Sequence, residues 1–378
     1  MPSSSQKLIA GVIAERAPGE RRVAIIPSDV RRLESKATFL VERGAGQAAG
    51  FTDEAYAIAG ATLTNREELL AQADIIVAVR FPADMDSWRE GAVLISLGTR
   101  DPALEAALAK RRVTHLGLER LPRIARAQSM DVLSSQAAIA GYAAVLEGAR
   151  SLDVMLPMMT TAAGSIKPAR MIALGAGVAG LQAIATARRL GAITHGFDIR
   201  EAAREQVESV GAKFVHPRTQ LASADGSGGY AAEQTAEDQE RLRRALAPEL
   251  APMQLIVTTA QVPGRRAPLL IDALTLGALT PGTVIVDLAA ESGGNCEATR
   301  PDEVVEVAGV RILGPTNLPS TVATDASRLF SGNLRSLLEH LLAADGQLHL
   351  DSDDPITGPL LGSHARLETA SISKAIGA

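Results

Sequence analysis

Along the first third of the chain, short apolar runs alternate with helical periodicities. Leu8 to Ala14 reads as a strand, and Ser28 stands where it would cap a helix running through Leu33. Thr38 to Glu42 is a second strand. Thr64, with Glu67 three residues on, has the spacing of a capping box before the strand Asp74 to Val79. Gly91 to Leu97 is another buried strand, and Asp101-Pro102 is a cap followed by proline at the first helical position. From Gln128 to about Ala149 the small-residue-rich pattern predicts one long helix. The run Pro157 to Gly164, then Lys167-Pro168, breaks that period and opens a second unit. Six strands are predicted there: Arg170–Leu174, Ala192–Asp198, Lys213–Val215, Leu255–Thr259, Thr283–Leu288 and Val310–Gly314. The Gly/Ser-dense stretch Ala222 to Tyr230 reads as a mobile loop, and a last helix spans about Asp325 to Ala344. The polar tail beyond Gly346 is expected to be poorly ordered or strapped onto a neighbour.

Strands separated by helices in this rhythm imply parallel βαβ units. The fold class predicted is α/β, with two Rossmann-like doubly wound parallel-sheet domains joined by long helices. Residues 1–135 would form an N-terminal domain completed by the C-terminal helix in 321–378, and residues 136–320 a nucleotide domain.

Composition narrows the function. The 378 residues carry 38 basic against 43 acidic side chains, a net charge of −5, which excludes a basic nucleic-acid footprint. Only six Phe, three Tyr and one Trp are present, too few for base-stacking platforms. The single cysteine, Cys296, fits a reducing compartment, and no Cys/His cluster has metal-ligand spacing. Neither a signal peptide nor a spanning segment is expected: the longest weakly polar run, Ala137 to Ala149, contains Glu147.

The chemistry concentrates at residues 170–180. Gly175, Gly177 and Gly180 fit Gly-x-Gly-x-x-Gly between an apolar strand and a helical run that begins with Val178 and Ala179. The first glycine permits the tight turn, the second lets backbone approach a pyrophosphate, and the third lets helix pack on strand. Asp198, 18 residues after Gly180, closes the second strand, where a carboxylate accepts ribose hydroxyls and repels a 2′-phosphate. Nearby Arg200 complicates that preference. Strand, glycines, helix and acid in this order indicate NAD(H) binding. Thr259 and Ala260, Glu291 to Asn295, and Thr316 to Ser320 lie at strand ends, where doubly wound sheets bind ligands. Scattered histidines, Cys296, Trp88 and the charged run Glu237 to Arg244 read as ordinary core, loop or surface residues.

With these residues in view, the chain resembles the NAD(H)-binding component of proton-translocating NAD(P) transhydrogenases. The resemblance rests on Ala17 to Ala24, Arg123 to Gln136, Met158 to Gly164, Gly175 to Leu190, Glu205 to Ser209, Val286 to Cys296 and Thr316 to Ser320. The Arg-x4-Gln-x2-Asp segment of Arg123, Gln128 and Asp131 is its most specific feature. The resemblance implies direct hydride transfer from NAD(H) to NADP(H) on a partner component, with Arg123, Gln128, Asp131 and Ser134 around the nicotinamide. It implies that Tyr230 belongs to a closing loop and that Gly175, Gly177, Val178, Ala179, Gly180, Asp198, Arg200, Thr259, Ala260, Glu291 and Asn295 hold the cofactor. It further implies a homodimer on the cytoplasmic face of the cell membrane, attached through NADP(H)-binding and proton-channel subunits on other polypeptides. Gln234, Thr321 and His195 depart from the family pattern.

Two other readings compete. Alanine dehydrogenases share the fold and the Pro-Gly-Glu-Arg-Arg-Val motif, but their chemistry needs a lysine and a histidine. This chain has Arg80 and Gly98 in the corresponding stretches. A non-catalytic NAD(H)-responsive binding protein fits the glycine motif equally well.

Overall fold

The computed structural model describes residues 7–84, 88–99, 102–217, 235–262, 265–342 and 347–365. The chain divides into two units, one comprising Met1–Gln136 with Ser320–Ala378 and the other Ala137–Pro319.

The first unit carries β1 (Leu8–Val12), β2 (Ala37–Glu42), β3 (Thr62–Thr64), β4 (Ile75–Val77), β5 (Val93–Ser96) and β6 (Thr114–Gly117). They form one parallel sheet in the order β3-β2-β1-β4-β5-β6. Successive residues serve opposite faces: Ile75 and Val77 join one core cluster and Ile76 the other, as do Val93 and Ile95 against Leu94. Burial on both faces is why these strands are continuously apolar. Gly11 is required by the packing, since a Cβ there would lie 2.5 Å from Leu69 Cδ2 on the helix Arg66–Gln72.

The second unit opens with an exposed antiparallel hairpin of β7 (Met159–Thr161) and β8 (Gly164–Ile166). Its main strands are β9 (Arg170–Leu174), β10 (Ile193–Phe197), β11 (Lys213–Phe214), β12 (Leu255–Thr258), β13 (Val284–Asp287), β14 (Val304–Val307) and β15 (Val310–Leu313). The sheet order is β11-β10-β9-β12-β13-β15-β14, parallel except for the antiparallel edge strand β14. The same alternation holds, with Met171 and Ala173 on one face and Ile172 and Leu174 on the other.

Several local expectations are corrected. The first helix is Pro27–Leu33, and its cap position is Ile26 with no side-chain bond. Ser28 therefore caps nothing, because Pro27, whose missing N–H costs nothing at a helix start, opens the helix two residues earlier than a Ser28 cap would. Thr64 ends β3 and donates to the Glu68 carboxylate; the cap is Asn65, which accepts from the Glu68 N–H at 2.9 Å. The single helix expected from Gln128 is broken: a 3₁₀ segment, Ala125–Met130, precedes the α-helix Val132–Ser151. Beyond the helix Ala323–Leu341, in the stretch expected to be poorly ordered or strapped onto a neighbour, lies a further helix, Thr357–Ala365. Ile356, Leu360 and Leu361 are buried in the first unit's core and hold that helix in place. Asp101 and the expected mobile loop with Tyr230 and Gln234 lie outside the described residues.

Candidate functional site

In the second unit the geometry gathers around the end of β9. Gly175 has φ +103, and a Cβ there would meet Thr259 Oγ1 at 2.5 Å. Thr259 sits just past β12, its hydroxyl donating to Gly175 O at 3.0 Å and its N–H to Leu174 O at 2.8 Å. Gly180 is more constrained still, since a Cβ would fall 1.8 Å from Gly175 O. Gly177 is the opposite case. It is exposed, occupies the cap position of the helix Val178–Arg189, and a Cβ there would meet nothing within 4 Å. One glycine thus makes the turn, one seals helix against strand, and one leaves open space before a helix start. Val178 and Ala179 occupy that first turn, with N–H groups that lack intrahelical acceptors. The N-terminal end of a twelve-residue helix attracts phosphate through those N–H groups and its dipole. The helix Val132–Ser151 packs beside it so closely that a Cβ on Gly141 would reach Ala179 O at 2.1 Å.

Asp198 is buried at the end of β10. Its carboxylate accepts from Ala176 N at 2.8 Å and from Arg200 through the backbone N, Nε and Nη2 at 2.8–2.9 Å. Burial works against ionisation, but the Arg200 bonds and the Ala176 N–H outweigh it and hold the carboxyl below its usual range. Arg200 is therefore Asp198's partner, and the two form a carboxylate–guanidinium pair at the end of β10.

Asn295 is fully buried, and its side chain is committed within the fold. Nδ2 donates to Ala260 O and Pro268 O, both at 2.8 Å, while Oδ1 accepts from Ala260 N at 3.1 Å. With these bonds Asn295 sets the Ala260 peptide. Glu291 is exposed on the same loop. Sequence reasoning missed the hub of this region, Asp287. Its buried carboxylate accepts from Thr258 and Thr299 hydroxyls and from the N–H groups of Ala289, Asn295 and Cys296. The available signal was an acid closing the apolar run Val284-Ile285-Val286. Burial, with the Asp287 charge added, pushes the Cys296 thiol up to about 11, so it is no nucleophile.

The Arg-Gln-Asp segment belongs to the first unit. Arg123 and Gln128 are exposed, and Asp131 and Ser134 are half-buried. Asp131 precedes the helix Val132–Ser151 and accepts from the N–H of Ser134 at 2.9 Å and from its hydroxyl at 2.6 Å. Asp131 and Ser134 thus form an N-cap.

Elsewhere in this unit, Glu20 and Arg22 form a buried ion pair, Arg22 Nη2 to Glu20 Oε2 at 2.6 Å. Arg80 Nε reaches the same carboxylate at 3.2 Å. Burial opposes ionisation of Glu20, but the Arg22 bonds win and hold it at about 2. Arg80 also lines a cavity of about 360 Å³ with Glu15, Arg16, Phe81 and Pro82. Burial pushes Glu15 up to about 7, although it accepts backbone N–H groups from Val79 and Arg80. Gly98 donates its N–H to Glu119, and a Cβ there would lie 2.5 Å from that carboxylate. Among the described residues no group of three or more His, Cys, Asp or Glu could hold a metal ion, and no helix is long and apolar enough to cross a membrane.

A doubly wound sheet with this glycine turn and strand-end acid defines a dinucleotide-binding protein. The chain belongs to the alanine dehydrogenase/PNT family: residues 11–140 match its N-terminal domain and residues 144–365 its C-terminal domain. It is 46% identical over 337 residues to an NAD(P) transhydrogenase alpha subunit of Rhodospirillum rubrum, covering 86% of this chain and 88% of that one. A crystal structure of transhydrogenase from Sinorhizobium meliloti superposes with a TM-score of 0.82 at 40% identity, covering 93% and 97% of the two chains. The alanine dehydrogenase of Bacillus subtilis is more distant, 26% identical over 328 residues, 83% and 80% of the two chains. Family and glycine turn together make NAD(H) the cofactor.

Proposed function

We propose that this chain is the NAD(H)-binding component of a proton-translocating transhydrogenase and that hydride passes directly between its NAD(H) and NADP(H) held by a partner subunit. The 46% identity to a transhydrogenase alpha subunit supports the class. The observation that carries the mechanism is the surface placement of Arg123 and Gln128, beside an Asp131 and Ser134 already locked together. Polar groups at a surface can meet a nucleotide brought by another protein, whereas an amino-acid dehydrogenase needs a closed pocket with a proton shuttle. Here Glu20 already engages Arg22 and Arg80, and Gly98 offers no base.

The backbone N–H groups after Gly177 would hold the pyrophosphate, Asp198 with Arg200 the ribose, and Thr259 and Ala260 the strand-end side. Bound NAD(H) supplies the hydride, so no protein group need take a proton. The work of Arg123, Gln128, Asp131 and Ser134 is to orient the carboxamide and ribose and to bridge to the second nucleotide, with reacting carbons ~3–3.5 Å apart. Tyr230 would belong to the loop that excludes water. The assembly proposed is a homodimer on the cytoplasmic membrane face, attached through NADP(H)-binding and proton-channel subunits.

The test mixes this protein with a matching NADP(H)-binding component and follows reduction of an NAD⁺ analogue by NADPH. Turnover in the mixture, absent from either protein alone, is the expected result. NADH binding without turnover would favour a sensor, and NADH formation from NAD⁺ and L-alanine would favour the dehydrogenase.

A further inference from the structure

The Arg-Gln-Asp segment is held from two sides within the first unit. On one side, Gln136 lies five residues after Asp131, at the start of the same helix, and its buried side chain is doubly engaged. Its Oε1 accepts from Arg22 Nη1 at 2.8 Å, and its Nε2 donates to Ala326 O at 3.0 Å. Arg22 is itself fixed, giving Nε and Nη2 to the two Glu20 oxygens at 2.8 and 2.6 Å. The Ser320 hydroxyl donates to Glu20 at 3.1 Å and accepts from Arg21 N at 2.6 Å. On the other side, Asn333 of the helix Ala323–Leu341 donates to Ser129 O at 2.8 Å, next to Gln128. The 3₁₀ segment and the start of the helix are thereby tied directly to the helix Ala323–Leu341 and, through a buried ion pair, to Ser320 just before it.

We propose that Gln136, held by the Glu20–Arg22 pair, is a positioning residue that sets the register of the segment carrying Gln128, Asp131 and Ser134. Stability alone does not account for such a device. Buried ion pairs replaced by well-packed apolar groups are often no less stable, and what a fully bonded polar network adds is one defined geometry. Direct hydride transfer is the kind of step that needs one, because a 1 Å displacement of aligning groups costs ~100-fold in rate. Glu20, held down to about 2 by its Arg22 bonds, keeps its charge through the neutral range.

The catalytic arm of the test rests on the transhydrogenase reading; the second arm does not. In Gln136→Met, of similar volume but unable to bond Arg22 or Ala326, hydride transfer with the NADP(H)-binding component should fall at least ~10-fold in kcat. NADH affinity of the chain alone, read by fluorescence, should stay within about twofold, and Asn333→Ala should lower kcat by a smaller factor. Hydrogen exchange of amides 125–135, measured on this chain by itself, should accelerate in both variants. A merely structural role would lower Tm without altering kcat per molecule of bound NADH, and that result overturns the proposal. Unchanged exchange in both variants overturns it whatever the kinetics show. Should the wild-type mixture give no transfer, the function reading fails, and the exchange measurement still decides the positioning claim. If Gln136→Met does not fold, Asn333→Ala carries both readouts.

Discussion

The two sheets share a strand order and diverge at the end of their first strand. Counting along each sheet from its edge, both run third, second, first, fourth, fifth. After β9 the chain turns through Gly175, Ala176 and Gly177 directly into a twelve-residue helix. After β1 it continues through Glu15, Pro18, Gly19 and Glu20, and the next helix, of seven residues, begins only at Pro27. One turn leaves open backbone before a helix start. The other is filled by the chain's own charges, Glu20 against Arg22 and Arg80, with Ser327 and Ser331 accepting the buried N–H groups of Val23 and Ile26. The same topology makes an open backbone turn or one occupied by the chain's own charges according to a few residues.

This contrast can be broken at four points. The largest effect is expected for Glu20→Ala, which leaves Arg22 buried without its carboxylate and should cost about 3–5 kcal/mol in denaturant unfolding. NADH affinity, measured where the variant is folded, should change little. Next, Gly180→Ala forces a Cβ onto Gly175 O and should lower NADH affinity by at least ~100-fold, about 2.7 kcal/mol, in a fluorescence titration. An affinity near wild type would mean that the cradle is not where NADH binds. Third, Asp198→Asn removes a charge-assisted partner and leaves Arg200 available to a 2′-phosphate. NADH binding should weaken ~10-fold and NADPH binding strengthen, so that the preference between them narrows.

The smallest effect is a pH dependence. Between about pH 4.5 and 7 folded Glu15 keeps a proton that the unfolded chain has released, so its contribution to stability falls as pH rises through that window and is lost above it. Glu20 has the opposite sign and weakens the fold only as pH drops from about 4.5 toward 2. Glu15→Gln should therefore flatten the fall in Tm between pH 5 and 8, roughly 2–4 °C for each 1 kcal/mol removed. Equal slopes in variant and wild type would show that Glu15 ionises normally.

Much of this was legible in the sequence for physical reasons. Strands buried on both faces must be continuously apolar, so β1, β2, β9, β12 and β13 announce themselves, and at Gly175 and Gly180 the turn is specified by sterics that only glycine satisfies. What escaped depends on tertiary context. The edge strand β14, Val304–Val307, is mostly exposed and carries Glu306, so its pattern is weak. The helix Thr357–Ala365 is short and rich in Gly and Ser, and it is held by burial of Leu360 and Leu361. The break before Val132 follows from Asp131 preferring to cap, which periodicity does not register. Asn295 and Asp287 look alike as strand-end polar residues, and only their bonds reveal that both serve the fold. The Glu20–Arg22 pair sits in a motif noticed for its resemblance, with no local pattern to show that it is buried.

The central claim is that hydride moves directly between two nicotinamides on different subunits. NADH carrying deuterium at its reactive carbon, incubated with this protein, a matching NADP(H)-binding component and NADP⁺ in ordinary water, tests it. The account predicts NADPH that retains the deuterium on one face of the ring, with none released to solvent. Deuterium appearing in water, or transfer proceeding without the second component, would contradict it.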